Sequence, residues 1–270
     1  MSAIIVSIIY FCACLWLLLG IRQSSTDTHS QGHTTAGLLM ACFGWVIHGY
    51  LLYRDSFENS LWAMNSTFVA SLIAWVTAAI TLVRCWNQVR FAGIAGALLL
   101  CVGLAAALTD EGVRNFSTSQ MGWELTAHVL IAAVAYAFVA VGAGLGLALY
   151  LLDHRLRHHQ ALGWMKALPS MEALETSMFQ AVVAGFALLT LTLFSGFIFV
   201  RDLLAQHLMH KVALSSLAWL ILGTLLWGRW KLGWRGRTAA RWTLWGFLLL
   251  GLSYFGAKFV LEIILGRHWG

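Results

Sequence analysis

The sequence predicts an all-α membrane protein, a polytopic helical bundle of about eight transmembrane helices with both termini facing outward. Three observations carry this prediction. Hydrophobic residues make up 60% of the 270 residues and charged residues only 10%, too little charge to cover a water-soluble surface of that size. Apolar runs follow one another almost end to end, each long enough for the roughly 20 residues that a helix needs to cross about 30 Å of hydrocarbon. The single proline, Pro169, lies outside those runs. Barrel strands would be about 10 residues long and would alternate polar with apolar, and these runs do neither.

The first run, about 3–20, has no positive residue before it and no small-residue cleavage site after it. It is therefore expected as a retained helix. The second run covers about 35–53, the third about 63–83 and the fourth about 91–108, joined by short loops. The fifth, about 124–151, carries Gly142, Gly144 and Gly146, small residues suited to close helix packing. One long loop follows, from Asp153 to about Met178. Within it PSMEALE marks a helix start: Ser170 caps, Pro169 precedes it, and Glu172 falls in the first turn. That short helix is expected at the membrane surface before the sixth run, about 179–200. The seventh and eighth runs cover about 212–228 and 242–265. No repeat, low-complexity stretch or soluble domain interrupts them, so residues 1–270 read as a single integral membrane domain. A folded extramembrane enzyme is excluded, and the protein is expected not to be an enzyme.

Lysine and arginine in the short loops set the orientation. One side receives Arg22, Arg84, Arg90, Arg155, Arg157, Lys166, Arg229, Lys231, Arg235, Arg237 and Arg241. The other receives Arg54, Arg114, Arg201, Lys211 and Arg267. The richer side is cytoplasmic. The net charge of +6 is no nucleic-acid footprint, because much of the excess sits in one loop, GRWKLGWRGRTAARW, beside a membrane run. There it serves as a topological anchor against membrane lipid, with snorkelling side chains and interfacial tryptophans. The five cysteines, Cys12, Cys14, Cys42, Cys85 and Cys101, form no C-x-x-C pair and read as small buried hydrophobes.

Ionisable groups inside a membrane are expensive, so each is a candidate site residue. His48 lies near the outer end of the second run and His128 about one turn into the fifth. His210, with Lys211 beside it, opens the seventh. Neutral imidazole binds haem iron, and histidines from facing helices are able to clamp a flat macrocycle near the membrane surface. His128, His48 and His210 are thus candidate metal ligands, with haem b the implied cofactor. Lone membrane histidines also serve as interhelical hydrogen-bond partners, which is the alternative for each. Glu124, four residues before His128, shares its helix face. It is placed to accept the other ring N–H, or to sit as a solvated carboxylate at the helix start. Lys258 and Glu262 are also one turn apart and read as a neutralising pair.

The segments HVLIAAVAYAFVAVGAGLGLALYLLDHRL, FQAVVAGFALLTLTLFSGFIF and HKVALSSLAWLILGTLLWGRWKLGWRGRTAARWTLWGFLLLGLSYFG resemble successive helices of one superfamily. It comprises the cytochrome c assembly membrane proteins, among them CcsA, ResC, CcmC and HemX-like proteins. HKVALSSLAWLI, GWRGR and YFGAKFVLEIILGR resemble a group of small bacterial inner-membrane proteins within it. The resemblance implies haem handling at the outer face of a bacterial inner membrane, with His128 matching the family's first outer-face histidine. It also places Lys211 at the lysine of the family's tryptophan-rich WGxxWxWDPK segment. Here that segment reads LLAQHLMHKVAL, with His210 where the family has proline, and His268 is offset from the family's second outer-face histidine.

The expected function is therefore haem binding and presentation, accessory to cytochrome c assembly or haem homeostasis, with His128, His48, His210, Glu124 and Lys211 around the cofactor. Expected partners are membrane lipid, haem and other membrane assembly or transport proteins. The alternative is a non-haem membrane scaffold that regulates a partner transporter. A small-solute transporter fits less well, because such proteins favour helices broken at the midplane.

Overall fold

The computed structural model describes residues 2–23, 29–58, 66–108, 122–158, 168–199 and 206–256. Helices fill nearly all of them, and none of the described residues forms a strand. The helices are α1 (Ser2–Gln23), α2 (His29–Glu58), α3 (Ser66–Asn87), α4 (Ala92–Leu108), α5 (Trp123–Arg157), α6 (Met171–Phe199), α7 (Gln206–Leu232) and α8 (Gly236–Gly251). A 3-10 turn, Val89–Phe91, leads into α4, and a π turn, Leu252–Gly256, continues α8. The stretches Gly32–Arg54, Phe68–Asn87, Trp123–Arg157, Met171–Ile198 and Lys211–Leu232 are long and apolar enough to cross a membrane. Ile4–Gly20 and Val89–Ala105 are shorter apolar helices. The chain is a multi-pass helical membrane protein.

The helices outrun the apolar runs, because hydropathy marks where lipid ends and not where backbone hydrogen bonding stops. The expected long loop from Asp153 to Met178 is shorter than the sequence implied. α5 continues to Arg157, with His154, Arg155 and Arg157 in its last turn, where cations suit the negative end of the helix dipole. α6 starts at Met171, capped by Ser170, whose Oγ accepts the Ala173 N–H at 3.2 Å. PSMEALE is thus the opening turn of α6 and no separate surface helix. The eighth run begins early, at Gly236. Lys258, Glu262 and His268 lie outside the described residues.

The described helices group into two compact units. Unit 1 comprises residues 1–121 and 154–173, and unit 2 comprises 122–153 and 174–270.

In unit 1, α1 packs on α2 and α4, and α3 packs on α2 and α4. Val6, Tyr10, Ala13 and Leu17 of α1 meet Leu38 and Ala41 of α2, Ala74, Ala78 and Leu82 of α3, and Ala95, Leu99 and Val102 of α4. Alanine at so many contacts lets the backbones approach closely, which is how helices associate where lipid supplies no hydrophobic drive. Two tryptophans tie α2 to α3. The Trp45 indole N–H donates to the Trp75 carbonyl at 3.2 Å, and the Trp75 indole N–H donates to the Trp45 carbonyl at 3.0 Å. Their rings stack at 4.9 Å, 7° from parallel.

In unit 2, α5 carries Gly142 and Gly146 at its closest approaches. A Cβ on Gly142 would lie 3.2 Å from Val182 of α6, and one on Gly146 would lie 3.2 Å from Met178 of α6 and 3.7 Å from Ala240 of α8. Both support the expected small-residue packing.

The turn between α7 and α8 needs left-handed backbone at Gly233 (φ 65°) and Gly236 (φ 55°), which glycine adopts without strain. A polar knot holds this turn. Arg229 of α7 donates to Glu175 of α6 at 2.6 Å and to the Trp234 carbonyl at 3.2 Å. The other Glu175 oxygen accepts the Gly236 N–H at 3.0 Å. Arg237 of α8 pairs with Asp153 of α5 at 3.4 Å and lies over the Tyr150 ring at 4.9 Å. The basic stretch is therefore divided: Arg229 and Arg237 turn inward to acidic partners. Arg235 is 74% exposed and reaches Glu175 only at 3.9 Å, and Lys231 lies over the exposed Trp230.

Glu175 is only 15% exposed, so losing it strands Arg229 and the Gly236 N–H together. Glu175→Ala should lower unfolding stability in detergent by about 1.5–3 kcal/mol, the usual worth of hydrogen bonds to a charged group. A double-mutant cycle with Arg229→Met should show positive coupling. Additive single effects would mean that the two side chains act independently.

Candidate functional site

At the end of unit 2 opposite the α7–α8 turn, the start of α5, the end of α6, the start of α7 and the π turn come together through their polar groups. His128 lies in the second turn of α5, and its Nδ1 is 2.9 Å from Ser195 Oγ of α6. Ser195 Oγ also lies 3.0 Å from the Thr192 carbonyl of its own helix. The next residue, Gly196, makes room for the imidazole: a Cβ there would sit 3.0 Å from His128 Cε1. The ring is half-buried, and its Nε2 is in no hydrogen bond with a described residue.

The Lys211 ammonium of α7 lies 5.9 Å from the Tyr254 ring centroid, within cation–π range. The Tyr254 ring meets Tyr136 of α5 edge-on at 6.0 Å. Ser253 Oγ donates to the Lys211 carbonyl at 2.9 Å. The π turn presents Ser253 and Tyr254 to α7, as such irregular turns often do at functional positions. His210 precedes Lys211 in α7, and its side chain is outside the described residues.

Glu124 opens α5 one turn before His128, as the sequence indicated. The ring partner differs from the expected one, since Ser195 holds His128 Nδ1. The Glu124 carboxylate instead turns back towards the helix start, where its Oε2 would lie 2.9 Å from a Cβ on Gly122. Exposed N–H groups and the positive end of the dipole favour a carboxylate there.

His48 belongs to unit 1 and is 3% exposed. Its Nε2 lies 2.8 Å from Ser71 Oγ of α3 and its Nδ1 3.4 Å from the Tyr10 hydroxyl of α1. Among the described residues, no three or more His, Cys, Asp or Glu side chains gather closely enough to hold a metal ion.

A haem iron takes an imidazole through a ring nitrogen with a free lone pair, and ligating histidines usually give their other N–H to an acceptor. His128 is placed to meet both, with Ser195 Oγ beside Nδ1 and Nε2 in no hydrogen bond with a described residue. His48 has a hydroxyl beside each ring nitrogen in a closed core, so it offers an acceptor for its N–H but no free lone pair. In this arrangement His48 ties together three helices.

Sequence reasoning passed over Ser195, Gly196 and Ser253. The signal for the first two is weak: a serine–glycine step inside TLTLFSGFIF, where small residues mark a close helix approach.

The family model described as Cytochrome C assembly protein matches residues 67–265. "Inner membrane protein YpjD" of Escherichia coli K12 is 25% identical over 268 residues, 97% of this chain and 98% of that protein. "Cytochrome c biogenesis protein CcsA" of Parasynechococcus marenigrum is 23% identical over 92% of this chain and 91% of its own length. "Protein HemX" of Brevibacillus brevis is 28% identical over 54% of this chain and 53% of its own length. No solved structure matches the chain. With the family match covering well over half of its length, this multi-pass helical chain belongs to the cytochrome c assembly protein family.

Proposed function

We propose that the protein binds and handles haem in a bacterial inner membrane, as an accessory of cytochrome c assembly or haem homeostasis. Family membership supports the general role, and relatives named for cytochrome c biogenesis and for the inner membrane point the same way. The observation that carries the reading is His128, with Nδ1 engaged by Ser195 and Nε2 turned to no described partner. His128 would hold the haem iron through Nε2. His210, at the start of α7, is the candidate second imidazole. Lys211, half-buried against Tyr254, supplies a cation for a propionate carboxylate. Glu124 stays at the helix start as a polar neighbour. Bound haem supplies its redox-active iron, while the protein's residues orient it and limit water access. No bond is made or broken by a side chain in this reading. Large apolar side chains such as Phe194 and Phe197 stay exposed, 66% and 76%, and face membrane lipid.

The charge distribution of the loops supports outward termini, a cytoplasmic α7–α8 turn and an outer-face haem site. Arg235→Cys in that turn should resist an impermeant thiol reagent added to intact spheroplasts and react after permeabilisation. Ready labelling from outside would reverse the orientation.

Purified protein titrated with haemin should develop a Soret band. His128→Ala should weaken or shift it, and Gly196→Val should do so too, because the added methyls crowd the imidazole. His48→Ala should leave the band in place while lowering stability by about 1–3 kcal/mol, the penalty for stranding buried hydroxyls. Equal haemin uptake by wild type and a His128/His210 double variant would overturn the reading in favour of a non-haem scaffold.

A further inference from the structure

Resting on the haem reading above, we infer that Ser195 is a positioning residue: it fixes His128 as the Nδ1–H tautomer and leaves the Nε2 lone pair for iron. A serine hydroxyl has one proton and two lone pairs. Ser195 Oγ makes two short contacts, to the Thr192 carbonyl at 3.0 Å and to His128 Nδ1 at 2.9 Å. The carbonyl can only accept, so the serine proton goes there. The contact to His128 is then a hydrogen bond only if Nδ1 carries a proton and donates it. In the neutral ring Nε2 is left bare.

The same helix repeats this pattern where its direction admits no alternative. Thr190 Oγ1 donates to the Phe186 carbonyl at 2.8 Å and accepts from the Trp219 indole N–H at 2.8 Å. An indole nitrogen is a donor only. α6 thus turns two hydroxyl protons back onto its own carbonyls and offers the oxygen lone pairs to ring N–H groups of neighbouring helices. Gly196 completes the device, because a side chain there would push the imidazole off the serine.

The test is nitrogen-15 NMR of histidine-labelled protein without haem, with His128 assigned by its loss in His128→Ala. Haemin titration of the same samples follows. Wild type should show a protonated Nδ1 and a bare Nε2. Ser195→Ala should shift His128 towards the Nε2–H tautomer and weaken haemin binding by about 10–100-fold, as loss of a ligand's supporting hydrogen bond does. Ser195→Thr, which keeps the hydroxyl, should restore both, and unchanged helical circular dichroism should accompany all three proteins. An Nε2–H tautomer in wild type would overturn the inference whatever haem does. A tautomer shift in Ser195→Ala with haemin affinity unchanged would also overturn it. If the tautomers behave as expected but no protein binds haemin, the tautomer assignment stands and the haem reading falls.

Discussion

A polar group that enters hydrocarbon takes no water with it, and nearly every polar contact in this protein answers to that constraint. Helices satisfy their own backbones, which leaves side-chain hydroxyls, indoles, imidazoles and charges in need of partners. Thr77, Thr81, Thr190, Thr192, Thr224 and Thr243 each return their hydroxyl proton to a carbonyl one turn back. Trp45 and Trp75 satisfy each other. His48 is quenched by Tyr10 and Ser71. In unit 2, His128 Nε2 is in no hydrogen bond with a described residue, and the Lys211 ammonium lies over the Tyr254 ring.

The two candidate histidines show how equal sequence signals part in the structure. Both stand alone among the apolar residues of a membrane helix, and only Glu124, one turn before His128, distinguishes their local sequences. What separates them is the neighbouring helix. Two hydroxyls close on His48 from different helices, while His128 meets one hydroxyl already committed elsewhere and a glycine. A donor-acceptor match from one helix to the next decides whether both ring nitrogens of an imidazole are engaged.

The fold class was legible because hydrophobic run length is a strong signal, and over the described residues each expected run falls on a helix. Ser170 was legible as a cap because capping is local. Helix ends were less so: Asp153 and Met178 mark the apolar limits of α5 and α6, while their hydrogen bonding continues to Arg157 and back to Met171. Glu124 was the natural partner for His128 by helical spacing, yet a residue 67 positions away holds the ring. Side-chain partnering across helices depends on packing that no single-helix periodicity encodes, so Ser195 and Gly196 looked like ordinary small residues of a membrane run. For the same reason the basic stretch between α7 and α8 read wholly as an anchor, although Arg229 and Arg237 are drawn inward by Glu175 and Asp153.

The reciprocal tryptophan pair has a mechanical consequence. Sliding α2 along α3 by even one residue would break both indole bonds and the ring stack at once, and the freed N–H groups would find no solvent to receive them. The pair forbids small shear between these helices, since no intermediate offset retains half of the contact. The pair therefore acts as a register pin between α2 and α3.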